Sequence, residues 1–519
     1  MTIELVEFCR GAMPSDSWTS VLQGAIDHVH EAGGGTVHIP AGRFVTGPIQ
    51  LKSRVALDLH VGALLVASAN PEEYHAQKKI AHYGLSWISA EGADAVEVSG
   101  SGCLDGNAFN ILQKLQHMLI PPGWDDFAFR LHGLRFIDCT DVTVRGIRIV
   151  NTSFWAFHLC DCKNVWIQGV SINNPVEDFC DNDPPVCLDD HVYHIINADG
   201  IDVDSCQNVR ISDCNIRTSD DAICIKVTKT SKKRFCRNIV VTNCVLGTDE
   251  SALKLGSETH GRFEDIVFSN CTVNYAGAAV ACWLADGGVI DRWIVSNISV
   301  NLQPKVGGNV VYIRVYPRNA ETISAGRMRN VFIQGVRASA PSAIYVAGSE
   351  DAIESLEIKD VALDIHGDYW PRTYEGALSK PIVHRDPPYP MPMWDHKRAP
   401  FDIYCRNILE LKLSNIRLNW MKPEDSNWGS AIRCSHIKRL VLDRIEARAS
   451  LGSNQADICL RDIQKAEVRN LTSLPGSTTV FDIDAVQQMV CLGNDFTASR
   501  LLGIDESLAS PSCNALPKG

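Results

Sequence analysis

Two aspartate-rich segments carry the densest chemistry in the chain: Asn197-Ala198-Asp199-Gly200-Ile201-Asp202-Val203-Asp204 and Ser219-Asp220-Asp221-Ala222-Ile223-Cys224-Ile225-Lys226. Asp199 and Asp220 are 21 residues apart. That interval is close to one coil of a repeating fold, where side chains stack at a strand separation of ~4.8 Å, so Asp199 and the Asp220-Asp221 pair should converge on one surface. Carboxyl groups that close raise one another's pKa, which leaves a protonated acid beside an ionised partner. A proton donor plus a base is what cleavage of a glycosidic bond requires. Turn-forming aspartates and a Ca²⁺ site are the alternatives that spacing alone leaves open.

The elements that must position these residues are legible in one recurring pattern. It reads Val142-Thr143-Val144-Arg145-Gly146-Ile147-Arg148-Ile149, then Val165-Trp166-Ile167-Gln168-Gly169-Val170-Ser171-Ile172, then Val209-Arg210-Ile211-Ser212-Asp213-Cys214-Asn215-Ile216. Further copies start at Ile239, Ile266, Trp293, Val331, Leu356, Leu411, Leu440 and Ala466. Apolar-x-apolar, two polar or glycine residues, then apolar-x-apolar describes two short strands joined by a tight turn. Consecutive copies fall 23 residues apart (142 to 165), 30 (209 to 239), 27, 27 and 25 (331 to 356). Such a unit cannot bury its own apolar face, so neighbours must stack. The expectation is an all-β, right-handed parallel β-helix forming a single domain over 1–519. Leucine-rich repeats lack support because no helix recurs, and a propeller needs four strands per ~40–45 residues.

Amphipathic helix is confined to the start. Val21, Leu22, Ala25, Ile26 and Val29 recur at helical spacing, and Gly33-Gly34-Gly35 stops them, which predicts a capping helix over 17–32. Long gaps between copies at 107–128, 173–197 and 366–402 predict loops walling a substrate groove. Cys139, Cys162, Cys206, Cys236 and Cys405 precede a strand by three residues, and Cys214, Cys244 and Cys271 share a later position. Equal positions in successive coils stack, so these cysteines read as small buried hydrophobes. A metal reading of Cys160-x-Cys162 lacks a Cys-x-x-Cys pair or matching histidines.

Composition narrows the partners. The 519 residues are 45% hydrophobic and 21% charged, with 49 basic against 61 acidic residues, a net charge of −12. With no basic block, a nucleic-acid partner is not expected. No run of 18 apolar residues exists, so no membrane span is expected. The 19 cysteines are an odd number in a long chain, which does not suit a disulfide scaffold. Met1-Thr2-Ile3-Glu4-Leu5-Val6-Glu7 lacks the basic and apolar regions of a secretory signal, so the expected location is the cytoplasm.

The sequence resembles glycoside hydrolase family 28, the polygalacturonase and rhamnogalacturonan hydrolase family of pectin-lyase-like β-helices. The resemblance runs through Ala32-Gly33-Gly34-Gly35-Thr36-Val37-His38-Ile39-Pro40-Ala41-Gly42, Thr46-Gly47-Pro48-Ile49, Gly100-Ser101-Gly102-Cys103-Leu104-Asp105-Gly106 and Phe154-Trp155-Ala156-Phe157-His158. It is strongest at Asn197-x-Asp199-Gly200 and Asp220-Asp221. It implies an inverting hydrolase of pectin-type or other plant-derived oligosaccharides in which Asp220 protonates the leaving oxygen while Asp199 and Asp221 activate water. No cofactor is implied. Inversion calls for ~6.5–9.5 Å between acid and base.

Two family segments are missing. The Gly-His-Gly segment is replaced by Thr248-Asp249-Glu250-Ser251-Ala252-Leu253-Lys254-Leu255-Gly256-Ser257, and His260 follows the Gly-Ser instead of preceding it. Where the family carries Arg-x-Lys, the strand reads Ala279-Val280-Ala281-Cys282-Trp283-Leu284-Ala285-Asp286. Rhamnogalacturonan hydrolases also lack the histidine. Candidate substrate-binding residues are therefore Asn197, Lys226, Glu250, Lys254, His260, Trp283 and Arg314. Lys226, Lys254 and Arg314 supply the positive charge an anionic sugar calls for. Trp283, Trp155 and Trp370 offer faces for stacking on sugar, and His158, His191 and His194 lie near the acidic segment. Long loops around the groove favour exo-action. Two other classes compete: a Ca²⁺-dependent β-helix polysaccharide lyase, and a non-catalytic carbohydrate-binding solenoid.

Overall fold

The computed structural model describes residues 1–9, 16–74, 85–111, 131–174, 197–302, 308–366, 402–421, 429–450 and 455–494. Trp370, His191 and His194 lie outside the described residues, as does most of each predicted loop. The chain divides into two compact units, Met1–Glu250 and Ser251–Gly519, each described by itself.

In the first unit, the capping helix runs Thr19–Glu31 and buries Leu22, Ala25, Ile26 and Val29. These are four of the five residues whose spacing predicts it. Its end follows from three glycines with positive φ; a side chain on Gly34 would meet the Arg54 carbonyl at 2.7 Å. The helix is tied to the first coil by Gln23, whose amide donates to the Gln50 carbonyl (3.0 Å) and accepts from its N–H (2.8 Å). The sequence reading does not anticipate the strand Thr2–Glu4 and the single helical turn Leu5–Phe8 that precede it.

Each regular coil of this unit contributes three parallel strands rather than the two of the repeat pattern. One ladder carries the first apolar pair: Val96, Val142, Val165, Val209 and Ile239 are successive partners, all buried. A second carries the other pair, with Leu104, Ile149, Ile172, Ile216 and Leu246 in line. The third runs Leu85–Glu91, Leu131–Ile137, Phe157–Cys160, Ile201–Asp204 and Ile223–Val227. Its later strands are buried on both faces, so they lack the alternation by which the other two are legible.

The turn by which the chain passes from the third ladder into the first carries a polar residue just ahead of the repeat pattern. Asn164, Asn208 and Asn238 each adopt φ +57°, a conformation asparagine tolerates. Their amides form a column: Asn164 donates to Asp141 (2.8 Å), Asn208 to Asn164 (2.9 Å) and Asn238 to Asn208 (3.0 Å). Cys139, Cys162, Cys206 and Cys236 stack nearby at no more than 1% exposure, and the Cys206 and Cys236 thiols donate to the carbonyls of Asp204 and Lys226. They pack as small hydrophobes with a satisfied S–H.

The second unit shows the same parallel stacking with longer strands, among them Val289–Asn301, Arg327–Ala340, Ile353–Ile365, Ile403–Trp420 and Ile432–Ala447. Ile266, Trp293, Val331, Leu356, Leu411, Leu440 and Ala466 are register partners one after another. Those are the residues at which the sequence pattern places successive copies. One further coil follows through Met489. In a separate hydrophobic cluster, Tyr312, Tyr345 and Tyr404 stack in register with centroids 5.1 and 5.4 Å apart.

Candidate active site

The acidic residues sit at the start of the third ladder, where the chain enters Ile201–Asp204 and Ile223–Val227. Ile201 pairs with Ile223, an offset of 22 residues, and the same offset takes Asp199 to Asp221. The direct stacking partner of Asp199 is therefore Asp221, and Asp199 converges with the Asp220-Asp221 pair as the sequence leads one to expect. Asp220 stands one residue to the side. Gly200 makes this approach possible: its N–H donates to the Asp221 carbonyl (2.8 Å), and a Cβ there would lie 2.3 Å from the Ala222 carbonyl oxygen. The Asp220 peptide is held by the Thr218 hydroxyl (2.6 Å) and by that of Thr248, both donating to its carbonyl.

One carboxylate oxygen each from Asp199, Asp220 and Asp221 lies within 4.8 Å of the other two. Asp199 and Asp221 are 2% exposed, while Asp220 is half-buried. The Asn197 amide donates to Asp199 (2.9 Å) and to Asp220 (2.5 Å), joining the expected base to the expected acid. Asp220 Oδ1 also accepts from the Asp221 N–H (2.8 Å). The nearest oxygens are closer than the ~6.5–9.5 Å associated with an inverting pair.

Beneath them lies a residue the sequence reading does not select. Asp202 is fully buried, and its Oδ1 is 2.7 Å from the Lys226 ammonium, which also lies 3.6 Å from Asp199 Oδ2. Lys226 is 3% exposed and rests 3.9 Å above the Trp155 ring. Burial, then the charges of Asp202 and Asp220, hold the Asp199 carboxyl well above the usual carboxylate range, with Lys226 pulling the other way. Burial also pushes Asp202 up, against the pull of Lys226. The signal that could have exposed Asp202 is an aspartate within a strand otherwise rich in isoleucine and valine.

His158 and Trp155 belong to the buried layer next to this pair. His158 stacks on His132 (5.2 Å) and meets Trp155 edge-on (4.9 Å), and burial, Arg135 and Lys226 keep it from charging. His158, Cys160 and Asp204 also come within 4.8 Å of one another. Asp204 is already committed: it accepts from the Thr228 N–H (2.9 Å), the Thr228 hydroxyl (2.5 Å) and the Ser205 hydroxyl (3.0 Å). Glu250 is half-buried, and its N–H donates to the Thr248 hydroxyl (3.1 Å).

The second unit holds the remaining candidates. Lys254 is half-buried on strand Ser251–Thr259, level with Ala281. Arg314 is level with Trp283, with its guanidinium 5.1 Å from the ring centre. Arg318, which the sequence reading does not select, lies 5.4 Å from the same ring and pairs with Asp286 (3.0 Å). His260 is 3.7 Å from that aspartate. Thus Trp283, Arg314 and Arg318 form one aromatic-cationic group, to which His260 connects through Asp286.

With fold and site defined, comparison with known proteins gives their kinship. The family described as Glycosyl hydrolases family 28 matches residues 31–374, about two thirds of the chain, and the chain belongs to that family. Similar sequences include a probable polygalacturonase of Vitis vinifera, 25% identical over 52% of this chain and 55% of that protein. A polygalacturonase of Medicago sativa is 23% identical over 66% and 77%. The chain thus spans about half of the first relative's length and about three quarters of the second's. Among solved structures, the Yersinia enterocolitica family 28 exopolygalacturonase superposes with a TM-score of 0.61, at 17% identity over 85% of this chain and 78% of that one. The Thermotoga maritima exopolygalacturonase gives 0.54, at 21% identity over 70% and 87%. These likenesses establish the right-handed parallel β-helix.

Proposed function

We propose that the protein is a glycoside hydrolase that cleaves pectin-type oligosaccharides at the Asp199–Asp220–Asp221 cluster. The observation that carries this reading is the cluster itself: three carboxylates from two stacked coils, with Asn197 bonded to both Asp199 and Asp220. Asp220, half-buried and set to the side, donates the proton to the leaving oxygen. Asp199 and Asp221, in register on adjacent coils, share the activation of one water. Two bases around one water suit inversion better than a single carboxylate nucleophile does, although the nearest oxygens are closer than the usual inverting separation. The names of the relatives support a galacturonan-type substrate. The exopolygalacturonases among the structural neighbours, together with the long inter-strand segments, support removal of units from a chain end.

The test is a panel of oligogalacturonide, rhamnogalacturonan, rhamnoside and neutral arabino- and galacto-oligomers, offered to wild type and Asp220→Asn. At least one should be cut by the wild type, with kcat/KM at least about 10³-fold lower in a folded Asp220→Asn. A panel left intact by the wild type, or cut equally by the variant, overturns the assignment. Early products of one size support exo-action; a spread of sizes counts against it.

A further inference from the structure

We propose that Lys226 is a positioning residue of this site: its buried ammonium, anchored on Asp202, opposes protonation of Asp199, the carboxylate that accepts a proton from water. The inference rests on the reading of Asp199, Asp220 and Asp221 as the catalytic carboxylates. It departs from the expectation that Lys226 meets a sugar carboxylate.

Geometry carries the argument. Lys226 is level with Asp204 on the preceding coil, but Asp204 is taken up by Thr228 and Ser205. The ammonium instead turns back along the sheet to Asp202 (2.7 Å) and Asp199 (3.6 Å), lying across the face of Trp155. Both carboxylates and the lysine are at most 3% exposed, so water screens the three charges poorly. The surrounding strands contribute His158 and Cys160, Asp202 and Asp204, and Cys224; Arg135 stands beyond His158, and Asp220 and Asp221 close the upper side. His158 is held neutral by burial. Among the described residues, Lys226 is therefore the cation within ion-pair reach of Asp199.

The charge balance then defines the role. Four carboxyl groups (Asp199, Asp202, Asp220 and Asp221) share this region, and the acid role of Asp220 accounts for one proton. Without Lys226, the remaining negative charges repel one another in a poorly hydrated space. The cheapest relief is a second proton, taken by Asp199 or Asp202. A protonated Asp199 cannot act as base.

The experiment is the pH profile of kcat/KM on the best oligosaccharide of the panel, for wild type, Lys226→Met, Asp202→Asn, the Asp202→Asn/Lys226→Met double variant and Asp220→Asn. In Lys226→Met the acidic limb should move toward neutral by about one pH unit or more, an activity loss of about tenfold per unit on that limb, with KM little changed. Removing Asp202 as well should bring the limb back toward the wild-type position. A folded Lys226→Met whose activity is scaled down equally at every pH overturns the proposal, because packing alone would do that. So does a double variant with its limb no lower than that of the single. If Lys226→Met does not fold, the double variant is compared with Asp202→Asn: the proposal requires its limb to lie higher, and coincident limbs refute it. Asp220→Asn separates the two levels. If it retains wild-type turnover, the site reading fails; if it is inactive while the Lys226 variants leave the limb unmoved, only this inference fails.

Discussion

At Asp199 the protein holds a carboxyl group where burial and negative neighbours both favour its neutral form, and sets one ammonium against them. Such an arrangement is costly in a protein interior and is kept where it serves chemistry. Asp402, in the second unit, provides a contrast. It too is fully buried, with burial driving its carboxyl well above the usual range and the Trp420 side chain opposing. A carboxyl raised on folding contributes stability below its unfolded pKa, and that contribution is lost as pH rises toward the folded value. Asp402→Asn removes the titration. Thermal melts from pH 4 to pH 8 should therefore show the variant gaining stability relative to wild type as pH increases; a constant difference would show that Asp402 does not titrate on folding. The three clustered carboxylates were legible because Asn-x-Asp-Gly and Asp-Asp are contiguous in the chain. The Asp202–Lys226 pair was not, since these residues lie 24 positions apart and meet only when one coil lies upon the next.

At the scale of the element, everything at the site depends on how closely two coils approach at Gly200. The strands set the register within the expected convergence: Ile201 lies against Ile223, which brings Asp221 directly beside Asp199 and leaves Asp220 one residue to the side. Gly200→Ala places a methyl group 2.3 Å from the Ala222 carbonyl and 2.8 Å from Ile216 Cγ2, so the backbone must shift. The expected cost is about 2–4 kcal/mol of unfolding free energy, measured by urea denaturation, together with a fall in kcat as Asp199 leaves its partners. A variant as stable and active as wild type would show that this contact does not fix the site. The repeat pattern made two ladders legible through alternating residues. The third was hidden because strands such as Ile223–Val227 are buried on both faces, and this third ladder carries the acidic cluster.

For the molecule as a whole, periodicity went furthest in the second unit, where the predicted copies from Ile266 to Ala466 are successive register partners. Stacked repeats make such agreement physically natural, since each coil must present the same apolar pair at the same place as its neighbours. The aromatic-cationic group of the second unit was less legible. Arg318 joins Arg314 at Trp283 through a position that no repeat marks, and the missing Arg-x-Lys could be noticed without identifying what replaces it. The central claim, hydrolysis by an acid and two bases acting on water, is tested most directly by proton NMR of an oligogalacturonide during its first turnovers, in buffer with and without a chelator. The account predicts saturated products whose new reducing end first appears with anomeric configuration opposite to that of the cleaved bond, at the same rate with chelator present. A first-formed sugar of retained configuration would contradict the two-base assignment, and an unsaturated product that disappears with chelator would contradict hydrolysis itself.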